Sequence, residues 1–160
     1  MLIFPFELCQ YISLASSCFI TLFLALHDWI NLYPLNDLET LNKHCSLRNK
    51  ILMTVVNTPF FILYTALLWH YWADPFPFWA KTYLITCNIL FLVGIIFSWW
   101  LPYFFGWPQS QVNELHESHG TTHTFLPKIG SNPIPNTLHV IFHLVFVINM
   151  IATIAVIFPH

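Results

Sequence analysis

Apolar residues form four long runs along the chain, and polar residues concentrate between these runs. The runs cover about residues 8–26, 51–72, 78–105 and 138–158. A helix needs about 20 mostly apolar residues to cross the ~30 Å hydrocarbon core of a bilayer. The pattern therefore predicts an all-α integral membrane protein. Residues 1–160 would form one domain, a four-helix bundle surrounded by the lipid bilayer.

The connections between these runs are unequal in length. Residues 73–77 contain two prolines and predict a tight return between the second and third spans. The other two connections, 27–50 and 106–137, are long. In the first, Asn36 is a candidate helix N-cap. In the second, Pro108 is suited to start a helix and Gly120 to end it, and Asn136 or Thr137 is the expected cap of the fourth span. We therefore expect one short helix in each long loop, lying at the membrane interface.

The overall composition agrees with a lipid environment and argues against several functions. Hydrophobic residues make up 57% of the chain and charged residues 8%, whereas soluble domains contain about 25% charged residues. The net charge of -2, without a basic run, gives no support for a nucleic-acid partner. The four cysteines include no C-x-x-C pair, so neither a disulfide framework nor a thiol redox site is predicted.

Basic residues near the ends of the spans predict the orientation. Four spans place both termini on one side of the membrane and both long loops on the other. The long-loop side contains Lys43, Arg48, Lys50 and Lys128, and the opposite side contains Lys81. Because cytoplasmic loops contain the excess of Lys and Arg, we expect cytoplasmic long loops and external termini in the cell membrane.

Ionisable residues also concentrate on the long-loop side. Seven of the nine histidines and five of the seven acids belong there. His27 and Asp28 directly follow the first span, which makes them a candidate catalytic acid–base pair or a pair that orients metal ligands. Ionisable groups at this depth usually face the bundle interior and have a partner.

The sharpest local motif is the pair His139 and His143 at the start of the fourth span. Spacing of four residues places both rings on one helix face, a geometry that can hold one metal ion. His116 and His119 of the second long loop are further candidate ligands. Neutral imidazole is suited to zinc, to iron and to haem.

The same residues also have a simpler interpretation. Interfacial His and Asp side chains often hydrogen-bond to one another, cap helix ends and anchor loops. The segment 114–123 does not contain the H-E-x-x-H metal motif, because one residue separates Glu117 from His119.

Two classes of function remain open on these residues. The first is a membrane-embedded metal- or haem-dependent enzyme, with a His- and acid-rich site at the cytoplasmic interface and a lipid-soluble substrate. The second is a non-catalytic accessory, scaffold or small transporter protein whose long loops bind a protein partner. Either class is compatible with a homo-oligomer, and the pattern alone does not decide whether the protein is an enzyme.

Overall fold

The computed structural model describes residues 5–159, and within that range no strand occurs. Helix makes up 72% of the structure, which confirms the expected all-α four-helix bundle. In chain order the elements are α1 (Phe6–Leu26), α2 (Leu38–His44), α3 (Leu47–His70), α4 (Phe78–Ile95), a π-helical segment (Ile96–Trp100), α5 (Leu101–Phe105), α6 (Gln109–His119) and α7 (Thr137–Ile157). A short helix lies in each long loop, as expected.

Four helices are long and apolar enough to cross a membrane: α1, α3, α7 and the continuous helix Phe78–Phe105, called the third span below. Large apolar side chains are exposed on the outward faces of these four helices. Val55, for example, is 62% exposed and Leu90 is 64% exposed. Such a surface is unfavourable in water, whereas lipid chains solvate it. The length and composition of the four helices indicate a multi-pass membrane protein.

Helix ends follow capping residues rather than hydropathy. α3 begins at Leu47, ahead of the apolar run that starts near residue 51, because Ser46 Oγ accepts a hydrogen bond from a first-turn N–H at 3.2 Å. The first turn of this spanning helix is therefore polar. The expected limits of α6, Pro108 before it and Gly120 after it, are confirmed.

The N-cap of α2 is Asp37, so the expectation that Asn36 caps this helix is wrong. The Asp37 carboxylate accepts hydrogen bonds from the backbone N–H of Thr40 at 3.1 Å and from its hydroxyl at 2.8 Å. Asn36 is buried, and its side-chain nitrogen donates to the carbonyl oxygens of His27 at 2.5 Å and Ile30 at 3.1 Å. Because Asn36 holds the loop against the end of α1, the next residue caps α2.

The most extensive helix packing is between α1 and α7. α1 contributes the buried residues Ser13, Ser16 and Ser17, whose small side chains let the two helices approach closely. Asn149 of α7 is fully buried, and its side-chain nitrogen donates to Ser13 O and to Ser16 Oγ, each at 2.9 Å. α1 also packs against α3, whereas the third span packs less extensively on α3 and α7.

A hydrogen-bonded group in the middle of the bundle joins three of the spanning helices. The hydroxyl of Tyr64 on α3 donates to Thr153 Oγ1 on α7 at 2.8 Å. The same hydroxyl accepts from Asn88 Nδ2 on the third span at 3.0 Å. All three side chains are buried, so the group satisfies polar atoms that lipid would leave without partners.

The second long loop returns against the end of the third span. Gly106 ends α5 with a φ of 63°, in the left-handed region. This backbone conformation favours glycine, and a β-carbon here would also displace the Asn132 side chain, whose Oδ1 would lie 2.7 Å away. Tyr103 reinforces the return, because its hydroxyl donates to Pro127 O at 2.8 Å and its carbonyl accepts from Asn132 Nδ2 at 2.9 Å.

The two long loops also contact each other, and α2 packs on α6. The backbone N–H of His123 donates to Pro34 O at 2.7 Å. The hydroxyl of Thr121 donates to the Asp37 carboxylate at 2.8 Å. Together the loops cover the end of the bundle at which α1 ends and α7 begins.

Replacing Tyr64 by Phe is expected to destabilise the bundle, because the substitution leaves the buried groups of Thr153 and Asn88 without this partner. The expected loss is about 1 kcal/mol of unfolding free energy, typical of a hydrogen bond within a membrane bundle. Reversible unfolding in mixed micelles measures it. Tyr11→Phe is the matched control, because Tyr11 lies on a spanning helix with 63% of its surface exposed. Equal stability of the two variants would contradict the assigned role of Tyr64.

Replacing Asp37 by Ala is expected to loosen the contact between the two loops, because it removes the cap of α2 and the acceptor of Thr121. The hydrogen bond from the Thr40 backbone N–H holds the pKa of Asp37 below its ordinary value. The stabilisation is therefore present above the ordinary carboxyl pKa and is lost as the pH falls through the lowered value. Amide hydrogen exchange at pH 7 should be several-fold faster in α2 and at residues 121–123 of the variant.

The matched control for Asp37 is Glu39→Ala. Glu39 is exposed and pairs with Lys43 at 2.8 Å within the same helix, so its loss should leave exchange at residues 121–123 unchanged. Acidification of the wild type should reproduce the exchange pattern of Asp37→Ala. If acidification leaves the pattern of the wild type unchanged, Asp37 does not join the loops.

Candidate functional site

Four histidines meet where the loops cover the bundle, and we call them the histidine cluster. His27 follows α1, His119 ends α6, and His139 and His143 lie in the first two turns of α7. The ring of His139 is central. Its centroid lies 5.6 Å from that of His27, 5.3 Å from that of His119 and 6.3 Å from that of His143.

The start of α7 orients the central ring. Asn136 is the N-cap, and its Oδ1 accepts a hydrogen bond from the backbone N–H of His139 at 2.9 Å. The same oxygen lies 2.7 Å from His139 Nδ1. Since an amide oxygen only accepts, Nδ1 carries the proton, and the lone pair of His139 is on Nε2. The ring is buried at 7% exposure, so this lone pair lies in a largely water-free site.

His119 is held in the same tautomer by a local bond. Ser118 Oγ donates to Glu114 O at 2.6 Å, so it accepts from His119 Nδ1 at 2.7 Å. Burial, with the nearby ring of His27 as a second cause, lowers the pKa of His119 to about 4. The ring is therefore neutral at neutral pH, and its Nε2 has a free lone pair.

His27 and Asp28 lie side by side at the end of α1. His27 Nε2 lies 3.0 Å from Asp28 Oδ1, and His27 Nδ1 lies 2.9 Å from Phe23 O. Both neighbours are hydrogen-bond acceptors, and together they fix the orientation of the ring. The structure thus brings the proposed acid–base pair to the edge of the cluster, next to His139.

Aromatic side chains surround the cluster. Trp99 of the π-helical segment stacks on His139 at 4.0 Å between centroids and lies 5.0 Å from His119. Phe23 stacks on His27 at 4.4 Å. Trp99 was not predicted to belong to the site, because a tryptophan near the end of a span is ordinary. Asn136 was predicted only as a cap, although its spacing of three residues from His139 is a local signal for the contact between the two side chains.

Other candidate residues lie apart from the cluster. His116 is exposed on α6, and its Nε2 contacts Ser131 O at 3.0 Å. Glu117, also exposed, lies 3.6 Å from His44. Among residues 5–159, no group of three or more His, Cys, Asp or Glu side chains is arranged to hold a metal ion. Metal binding by His116, His119, His139 and His143 therefore stays a prediction.

Comparisons with known proteins add no assignment. No family model matches the chain, and neither a curated protein nor a solved structure matches it. The geometry of the histidine cluster and of the surfaces that adjoin it is therefore the basis for proposing a function.

Proposed function

We propose that this multi-pass membrane protein binds one transition-metal ion, zinc or iron, through His119 and His139. One observation supports the proposal most directly. In both rings Nδ1 is hydrogen-bonded to a nearby side chain, so the lone pair is on Nε2, and the ring centroids lie 5.3 Å apart. A metal-binding histidine usually donates its other N–H to a nearby acceptor, which fixes the tautomer and orients the ring.

His27 is the third ligand in this proposal. Its ring lies 5.6 Å from that of His139, but its Nε2 faces Asp28. Metal binding through Nε2 therefore requires the contact between His27 and Asp28 to open. The Asp28 carboxylate then becomes available to orient the ring or to exchange a proton.

The site lies where loops and spanning helices meet, so a substrate dissolved in the membrane could reach it. A bound transition metal would supply Lewis-acid or redox chemistry there. Trp99 and Phe23 limit access of water to the cluster, and His27 with Asp28 forms a candidate acid–base pair beside it. These features favour a membrane-embedded enzyme over the alternative of a non-catalytic accessory, scaffold or transporter protein.

Metal content tests the ligand assignment. The protein, purified in mild detergent, should contain about one transition-metal ion per chain by elemental analysis. His119→Ala and His139→Ala should each lower metal affinity by at least about tenfold, since each removes a ligand. His116→Ala is the matched control, because His116 lies on the same helix as His119 but contacts Ser131 O. An absorption spectrum with a Soret band would identify haem instead.

The outcomes separate the hypotheses. A metal-free wild type, after purification and after reconstitution with zinc or iron, would overturn the metal proposal and favour the non-catalytic class. Loss of metal in His116→Ala but not in His119→Ala would assign the site to the loop surface.

We also propose that the long loops are cytoplasmic and both termini external. The excess of Lys and Arg on the long-loop side supports this orientation. An epitope tag after residue 160 should bind antibody on intact cells. A tag inserted after Ser131, which is exposed, should bind only after permeabilisation. The reverse result would invert the topology.

A further inference from the structure

A crevice of about 280 Å³ lies between the third span and α7. One wall includes Leu92, Ile96 and Trp100, and the other includes His143, Leu144 and Val147. Leu144 is 59% exposed on the outer surface of its helix, so the crevice adjoins the lipid-facing side of the bundle. The third span packs only sparsely on α7, which leaves this space between them.

The π-helical segment shapes one wall of the crevice. In this segment the backbone N–H of Leu101 donates to Ile96 O, five residues back, which widens the turn. Two consecutive tryptophans then serve different sites. Trp99 stacks on His139 in the cluster, whereas Trp100 lines the crevice with its ring centroid 5.9 Å from that of His143. Such wide turns occur frequently at functional sites.

His143 is the single ionisable side chain among the residues that line the crevice. It is only 4% exposed, and its Nδ1 is buried without a hydrogen-bond partner among the described residues. It lies six residues into α7 after Thr137, about 9 Å along the helix axis at 1.5 Å per residue. At that depth lipid offers no hydrogen bond, so an unpaired polar group is unfavourable unless something binds it. Thr58 Oγ1 and Asn149 Oδ1 are also unpaired among the described residues, but neither residue lines the crevice.

We propose that the crevice binds a lipid-soluble molecule with an uncharged, single-ring head that carries a hydroxyl group. The hydroxyl hydrogen-bonds to His143, and an alkyl tail extends into the bilayer. A hydroxyl fits because it pairs with either imidazole tautomer. The head is uncharged because the lining residues include no charged partner. At ~30 Å³ per water molecule, the crevice has the volume of roughly nine water molecules. That is enough for one six-membered ring and its oxygen.

The test uses 4-decylphenol with a diazirine in its tail and the protein in lipid nanodiscs. After irradiation, peptide mass spectrometry should place the cross-links in residues 92–100 and 140–147. Unlabelled 4-decylphenol should compete for labelling, whereas 4-decyltoluene, which lacks the hydroxyl, and 4-decylbenzoate, which is charged, should compete at least about tenfold less well.

Variants separate the hydrogen bond from the shape of the crevice. His143→Phe keeps a ring without hydrogen-bonding atoms and should weaken binding of the phenol about tenfold. It removes an unpaired buried atom, so the fold should be retained. Leu144→Trp, on the exposed rim, should block labelling by filling the entrance. His70→Phe is the matched control, because His70 ends α3 on the side of the bundle away from the long loops and does not line the crevice. Labelling of this variant should equal that of the wild type.

Cross-links spread evenly over all four spans would overturn the proposal, as would equal competition by the phenol and the toluene analogue. The proposal does not depend on a metal. Metal content measured on the same preparation distinguishes the metal proposal from the crevice proposal. A metal-free protein that labels at the crevice contradicts only the metal site. A metal-containing protein that fails to label there contradicts only the crevice.

Discussion

The hydrocarbon core of a bilayer offers no hydrogen bonds, and this constraint decides where the polar side chains of the spanning helices lie. Tyr64, Asn88 and Thr153 satisfy one another at the centre of the bundle. Asn149 bonds to the serine face of α1. Hydrogen bonds are directional, unlike apolar packing. These contacts therefore determine which helices are neighbours and how the helices are aligned along the bundle axis. The outer faces, free of this requirement, remain apolar.

The constraint weakens where the spans meet the loops, and the histidine cluster lies at that boundary. The contact between His27 and Asp28 lies at the end of α1, whereas His139 is enclosed by Trp99 and by the first turn of α7. Burial keeps His119 neutral on the loop helix α6. A histidine–carboxylate pair beside imidazoles with free lone pairs is an arrangement suited to binding a ligand or a metal ion rather than only to packing.

His143 is one of three buried side chains in the spanning helices, with Thr58 and Asn149, that have a polar atom without a hydrogen-bond partner among the described residues. Of the three, only His143 lines the apolar crevice beside the π-helical turn. Two unusual features at one position, an unsatisfied polar atom and an irregular helix, coincide where the third span packs loosely on α7. This coincidence connects the local departure from good packing with a binding site.

Hydropathy alone determined the four spans, because about 20 apolar residues in a row have no stable place in water. Pro108 and Asn136 were also predicted correctly from the local sequence. Asn36 was misassigned because its partners, the carbonyl oxygens of His27 and Ile30, precede the helix that it was expected to cap. Which histidines meet was decided only by tertiary structure. The return of the second loop over Gly106 brings His119 to the cluster and leaves His116 on the surface, and spacing along a chain does not encode where a loop returns.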